Sequence, residues 1–123
     1  MLSHMSFGVE QLERAVRFYD KVLEPLGYTR VWSNPHGAGF GDEDGPDRLA
    51  LFAQPNEVVA PGPGLHLALQ APSRSAVDAF YDAAMNAGGR SAGPPGPRPN
   101  YGATYYAAFV LDPDGYKLEA VHQ

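Results

Sequence analysis

Apolar and polar residues recur along the chain with two periods, and each period predicts one kind of secondary structure. Two-residue alternation, typical of a half-buried strand, occurs at 2–9 and again at 65–71. Each of these strands precedes a segment, 12–24 or 73–87, in which apolar residues recur at three- and four-residue spacing, which predicts an amphipathic helix. The other predicted strands are 28–33, 37–41, 49–54, 90–92, 105–111 and 116–122, and the Pro/Gly-rich stretches 55–64 and 93–102 are predicted loops.

The two halves of the chain have the same order of elements, which indicates an internal repeat. The shift that places Phe18-Tyr19-Asp20 on Phe80-Tyr81-Asp82 also places His4 on His66. Each half therefore predicts a β-α-β-β-β unit, and the fold class is α+β. The length of 123 residues suits one domain, with module one at about 1–60 and module two at about 61–123.

Strand alternation places three metal-ligand residue types on the polar sides of strands whose opposite sides are apolar: His4, His66 and Glu119. A buried acid such as Glu119 is costly unless it is paired, hydrogen-bonded or bound to a metal. If the sheets curl, the polar sides line a cavity, and two imidazoles with one carboxylate there make a divalent metal site. Such a site leaves coordination positions open for a substrate.

Simpler interpretations of these residues remain open. A single histidine on a strand is more often a surface or satisfied residue than a ligand, and Glu119 has Lys117 as an alternative partner. Two further histidines compete for the site. We interpret His36, in a Pro/Gly-flanked loop, and His122, on the strand face opposite Glu119, as surface residues.

Aromatic and polar residues near the predicted strands provide candidates for the rest of a site. Tyr105 and Tyr101 are predicted catalytic residues beside Glu119, because a tyrosine hydroxyl can assist proton transfer. Arg98 is predicted to pair with a substrate carboxylate. The other predicted substrate-binding residues are aromatic: Trp32, Phe52 and Tyr106. The alternative for all of them is an ordinary role in turns and the core.

Composition excludes several classes of partner. The net charge is −5 and no cluster of Lys or Arg is present, which argues against nucleic acid or an anionic membrane. The chain has no cysteine, and therefore no disulfide and no thiolate ligand. No apolar run reaches the roughly 20 residues that span a bilayer, and we find no signal peptide. The chain is therefore predicted to be cytoplasmic.

Three segments and the repeat resemble the vicinal oxygen chelate superfamily, which includes glyoxalase I, fosfomycin resistance proteins, extradiol dioxygenases and bleomycin resistance proteins. The segments are HMSFGVEQLERAVRFYDKVL, HLALQAPSRSAVDAFYDAAMNAGG and YYAAFVLDPDGYKLEAV. The resemblance implies two βαβββ modules forming an incomplete β-barrel around a central cavity. It implies a metal held by His4, His66 and Glu119, and a homodimer whose cavities are completed across the subunit interface.

The function implied by the resemblance is that of a metal-dependent lyase, isomerase or dioxygenase that binds vicinal oxygens of its substrate. The metal is Zn, Fe, Mn, Ni or Co, which this ligand set does not distinguish. The alternative is a metal-free drug-binding protein of the bleomycin resistance type.

Glyoxalase I has a fourth protein ligand in the last strand of its first half, and two alignments disagree about its counterpart here. The plain repeat shift gives Glu57, whereas matching the turn Gly45-Pro46-Asp47 to Asp112-Pro113-Asp114 gives Phe52. The turn is the better guide, so the fourth ligand is predicted to be absent. That argues against glyoxalase I chemistry, and the absence of a basic cluster argues against a phosphonate substrate.

Overall fold

The computed structural model describes residues 1–54, 56 and 58–123, which contain two α-helices and eight strands. Module one has the order β1 (Met5–Val9), α1 (Leu12–Leu23), β2 (Thr29–Asn34), β3 (Gly37–Gly41) and β4 (Asp47–Ala53), with a 3-10 helix at Glu24–Leu26. Module two has the order β5 (Leu67–Gln70), α2 (Arg74–Asn86), β6 (Arg90–Pro97), β7 (Tyr106–Leu111) and β8 (Lys117–His122). The α+β class and the repeated βαβββ unit are thus confirmed.

Each module forms its own four-stranded sheet with the same topology. The strand orders are β1-β4-β3-β2 and β5-β8-β7-β6, and the sheets are not closed into a barrel. In both, the first strand runs parallel to the last strand of the module and the other neighbours are antiparallel. No helix in the described part of the chain is long and apolar enough to cross a membrane.

The largest difference from the predicted elements lies at β6, which extends to Pro97 instead of ending at residue 92. Its pairing with β7 shifts register between Ser91 and Gly93 and again between Gly93 and Gly96. These irregularities let a proline-rich edge strand stay paired even though proline has no N–H to donate. The strands β1 and β5 also begin one residue after His4 and His66, so each histidine precedes its strand.

The core lies between the helices and the sheets and is shared by both modules. Phe18 of α1 and Phe80 of α2, which the repeat superimposes, are each 0% exposed. A Cβ atom at Gly89, which directly precedes β6, would lie 2.9 Å from the ring of Phe18, so the second module packs closely on the first helix. Leu118 and Ala120 of β8 face this core and are fully buried.

A buried carboxylate, Asp112, connects the turn before β8 to module one. Its Oδ2 accepts a hydrogen bond of 2.6 Å from the hydroxyl of Tyr19 in α1. Its Oδ1 accepts from the backbone N–H groups of Asp114 and Tyr116 at 2.9 Å each. Burial raises the pKa of the Asp112 carboxyl, and the hydrogen bond from Tyr19 opposes that shift. These bonds fix the start of β8 relative to the first module.

Two further contacts reinforce this junction. The ring of Tyr116 stacks on Phe7 of β1 at a centroid distance of 4.3 Å, and its hydroxyl donates to the Gly8 carbonyl at 2.8 Å. Asp114 Oδ1 accepts from the Glu10 N–H at 3.0 Å and lies 3.3 Å from Arg14 Nη2. The turn that leads into β8, the strand that carries Glu119, is therefore held against module one.

We expect the protein to lose stability at alkaline pH through Tyr19. Burial, and next the charge of Asp112, raise the pKa of the Tyr19 hydroxyl well above its ordinary value. Because the folded state favours the protonated phenol, the contribution of Tyr19 to the free energy of unfolding is complete below about pH 10 and is lost as the pH rises further. The free energy of unfolding, measured with urea between about pH 9 and pH 11, should fall more steeply with pH for wild type than for Tyr19→Phe. Equal slopes for the two proteins would contradict this assignment.

Candidate functional site

Glu119 lies in the middle of β8, on the face opposite the core. It pairs with Ala68 of β5 and Phe109 of β7, and its side chain is 2% exposed. Its Oε2 lies 2.9 Å from Nε2 of His66, and its Oε1 accepts a hydrogen bond from the Tyr105 hydroxyl. Both oxygens of this buried carboxylate thus have partners within the chain, and both partners, His66 and Tyr105, are predicted site residues.

The spacing of His66 and Glu119 fits a chelated cation. His66 immediately precedes β5, its side chain is 43% exposed, and its ring meets Phe109 edge-on at 5.8 Å. Divalent metals bind imidazole nitrogen and carboxylate oxygen at about 2.1 Å, so neighbouring ligand atoms around one metal stand about 3 Å apart. The 2.9 Å between Nε2 and Oε2 matches that separation. The donor set therefore suits a divalent cation.

Tyr105 is the second partner of Glu119 and a donor at neutral pH. Burial, followed by the hydrogen bond to Glu119, raises the pKa of Tyr105 to about 12. Tyr101 packs edge-on against Tyr105 with a centroid distance of 5.3 Å, and it is 67% exposed. The two tyrosines therefore form one wall of the site, the first inside it and the second at its rim.

These residues line a cavity of about 670 Å³ in module two. Five of the predicted site residues lie in its wall, and the residues that were not predicted include the aromatic Phe109 and the basic Lys117. The wall consists of His66, Ala92, Gly93, Arg98, Asn100, Tyr101, Tyr105, Phe109, Lys117 and Glu119. Strand alternation places Lys117 on the same face as Glu119, and that signal was available in the sequence.

The remaining predicted residues of module one do not line this cavity. His4 is exposed, and its Nδ1 lies 3.0 Å from the Ser3 hydroxyl. Trp32 and Phe52 lie on the other sheet with their ring centroids 5.9 Å apart. Among the described residues, no three His, Asp or Glu side chains form a metal-binding group. A single chain thus brings together two of the three predicted ligands.

Tyr106 also lies away from the cavity, because adjacent residues of a strand point to opposite faces. Its hydroxyl donates to Asp78 Oδ1 of α2 at 2.7 Å, and Arg74 stacks over its ring at 5.0 Å. The structure therefore places Tyr106 against the second helix. His122, interpreted as a surface residue, is half-buried, with Nδ1 3.0 Å from the Ala71 carbonyl oxygen.

The counterpart of Glu119 in module one is Ala50, not Phe52. The pair Ser6–Ala50 between β1 and β4 corresponds to Ala68–Glu119 between β5 and β8. Phe52 instead pairs with Gly8. Glu57, the other counterpart considered, lies outside the described residues. The side chain of Ala50 has no ligand atom, so the register places no side-chain ligand at this position of β4.

Phe52 was assigned wrongly because the sequence match placed Pro46 on Pro113. The true equivalents are the turns Asp42-Glu43-Asp44-Gly45 and Asp112-Pro113-Asp114-Gly115, each closed by a hydrogen bond from the glycine N–H to the first carbonyl, 2.9 and 3.0 Å long. An irregularity between β3 and β4 then skips Arg48 and changes the repeat offset by one residue.

Comparisons with known proteins agree with this fold. The sequence profile of the Glyoxalase/Bleomycin resistance protein/Dioxygenase superfamily matches residues 1–120. Among curated proteins, none shows significant sequence similarity to this chain. A solved glyoxalase/bleomycin resistance protein from Albidiferax ferrireducens T118 is 32% identical, with a TM-score of 0.82, over 98% of this chain and 97% of that one.

Two more distant structures share the fold. A glyoxalase-related enzyme from Fulvimarina pelagi is 24% identical, with a TM-score of 0.75, over 98% of this chain and 86% of that one. The fosfomycin resistance protein FosX from Mesorhizobium loti is 23% identical, with a TM-score of 0.73, over 100% of this chain and 92% of that one.

Proposed function

We propose that this chain, which belongs to the glyoxalase/bleomycin resistance protein/dioxygenase superfamily, is a metal-dependent enzyme acting on a small molecule with two neighbouring oxygen atoms. The observation that carries the proposal is the pair of His66 Nε2 and Glu119 Oε2, which are 2.9 Å apart in the wall of a large cavity. In the proposal these two residues and His4 hold a divalent ion of Zn, Fe, Mn, Ni or Co. When bound, the ion supplies Lewis-acid polarisation of the substrate oxygens.

We assign the third ligand to a second copy of the chain. His4 belongs to module one, whose sheet is separate from the sheet that carries Glu119, and it is exposed to solvent. The repeat gives His4 the same place before its strand as His66. In a two-fold dimer, His4 of each copy would meet His66 and Glu119 of the other, which gives two identical sites.

The other residues have roles that follow from their positions. Tyr105 donates to Glu119 and thereby orients the carboxylate, as outer partners of metal ligands commonly do. Glu119 is the one carboxylate in the described wall of the cavity, and we assign it the acceptance of a substrate proton. Tyr101 lies at the rim of the cavity, where it is largely exposed. Trp32 and Phe52 of the second copy would complete the cavity as an apolar wall.

A metal-free binding protein is the second candidate function, and one observation favours it. Both oxygens of Glu119 already have partners in the chain, so the carboxylate can stay buried without a cation. The charge of the cavity disfavours the cationic ligands of this class, because Arg98 and Lys117 both line it. We therefore rank the enzyme first.

Elemental analysis distinguishes the two functions. Protein purified without a histidine tag or chelator, then reconstituted with divalent ions, should hold about one metal per chain, since each proposed site contains one copy of each ligand. His66→Ala should lose that metal, whereas the control His36→Ala, which removes an exposed histidine, should keep it. Absence of bound metal in reconstituted wild type would favour the binding protein and contradict the proposal.

A further inference from the structure

The centre of the cavity wall is an aromatic ring with two cationic groups on it. The guanidinium carbon of Arg98 lies 5.6 Å from the centroid of Phe109, and Nζ of Lys117 lies 5.2 Å from it. Contacts of this kind hold a cationic head in place without supplying a counter-charge. Phe109 therefore keeps two positive charges at the wall that also carries Glu119.

Arg98 is fixed in this position by the backbone around it. Its guanidinium donates to the carbonyls of Pro94 at 2.7 Å and Gly96 at 3.0 Å. A Cβ atom at Gly93 would lie 3.4 Å from Nη2, and one at Gly96 would lie 3.2 Å from Nη1. The 3.2 Å approach is tighter than an ordinary contact, so glycine at position 96 gives the guanidinium room. A preorganised Arg loses less side-chain entropy when it binds an anion.

Lys117 stands beside the proposed metal ligands. It precedes Glu119 by two positions on β8, so both side chains are on one face, with their Cα atoms about 7 Å apart along the strand. The ion pairs among the described residues are Arg14–Asp114, Arg30–Asp20 and His66–Glu119. Neither Lys117 nor Arg98 takes part in them. Although the chain has a net charge of −5, this cavity is lined by two cationic side chains and one acidic side chain.

We propose that the cavity selects small organic acids, in which a carboxylate binds Lys117 and Arg98 while the opposite end of the molecule reaches His66 and Glu119. The inference rests on the proposed function only for the end of the molecule that reaches His66 and Glu119. The carboxylate subsite at Lys117 and Arg98 needs no metal. The substrate class is therefore an acid that carries a pair of neighbouring oxygens at the end opposite this carboxylate.

Amine labelling tests the carboxylate subsite without any metal. The chain has two lysines, Lys117 in the cavity and Lys21 exposed on α1, so one mass spectrum reports the acetylation of both. Millimolar glutarate should slow acetylation of Lys117 several-fold and leave Lys21 unchanged, while the uncharged analogue glutaramide should protect neither. Equal labelling of Lys117 with and without glutarate would overturn the inference.

Binding of matched acids to the zinc-loaded protein tests the full proposal. Calorimetry should show 2-oxoglutarate binding about tenfold more tightly than 2-oxopentanoate, which lacks the distal carboxylate. Lys117→Met should remove this preference, Lys117→Arg should restore most of it, and Lys21→Met should leave it intact. An unchanged preference in Lys117→Met would overturn the assignment.

The two proposals fail in different ways. If the metal proposal is wrong, His66→Ala and wild type bind the acids alike, while glutarate still protects Lys117. If the carboxylate subsite is wrong, metal content is normal, and 2-oxopentanoate binds as tightly as 2-oxoglutarate.

Discussion

Replacing Glu119 with glutamine is expected to lower the affinity for divalent cations by about a hundredfold or more, because changing even an outer partner of a metal ligand costs 10- to 100-fold. The substitution removes a charged ligand and keeps the shape of the side chain. Tyr105 can still donate to the amide oxygen, so the fold should survive at this buried position. Competition with a fluorescent chelator measures the affinity, and thermal unfolding checks the fold.

Glu43 provides the matched control for this experiment. It is exposed in the turn between β3 and β4, and Glu43→Gln makes the same change of charge. We expect that variant to bind metal like wild type. Equal affinities for Glu119→Gln and wild type, with both proteins folded, would show that the buried carboxylate is not a metal ligand.

Replacing Asp112 with alanine is expected to reduce the free energy of unfolding by about 3 kcal/mol, because it leaves buried donors without an acceptor. The Tyr19 hydroxyl and the N–H groups of Asp114 and Tyr116 all donate to this side chain, which is 2% exposed. The junction between the modules at the start of β8 should weaken as a result. Urea unfolding measures the loss.

The internal repeat supplies the control for Asp112. Asp42 begins the equivalent turn of module one, and it is exposed. Asp42→Ala should cost about 0.5 kcal/mol or less, as surface substitutions usually do. Similar losses in the two variants would contradict the role given to Asp112 as the connection between α1 and the last strand.

The sequence predicted those parts of the site that depend on strand period. Alternation put Leu118 and Ala120 on the core side and Glu119 opposite them, and the structure has this arrangement. The helix bounds were within two residues, because both helices have clear apolar faces and Ser73 caps the second one as predicted. Local patterns of this kind carry the information about which side chains share a face.

Features that depend on tertiary geometry were not predictable in the same way. The prolines of 94–97 indicated a loop, whereas irregular pairing at Gly93 and Gly96 keeps that segment in β6. Arg98 was predicted as the partner of a substrate carboxylate, whereas its meeting with Lys117 over the Phe109 ring was missed, because Arg98 reaches that ring only through the shape of the segment that leads to it. Phe52 was matched to Glu119 because one skipped residue in a strand pair leaves no local signal.

Mixing two variants that each lack one proposed ligand tests the proposed metal centre most directly. His4→Ala and His66→Ala should each bind no metal alone. After joint unfolding and refolding, half of the dimers should be mixed, each with one intact site, so metal content should recover to about one quarter of wild type. His66→Ala mixed with Glu119→Gln should recover none, because both changes fall in module two and every site is damaged. No recovery in the first mixture, from variants that refold and dimerise, would contradict a metal centre shared between two chains.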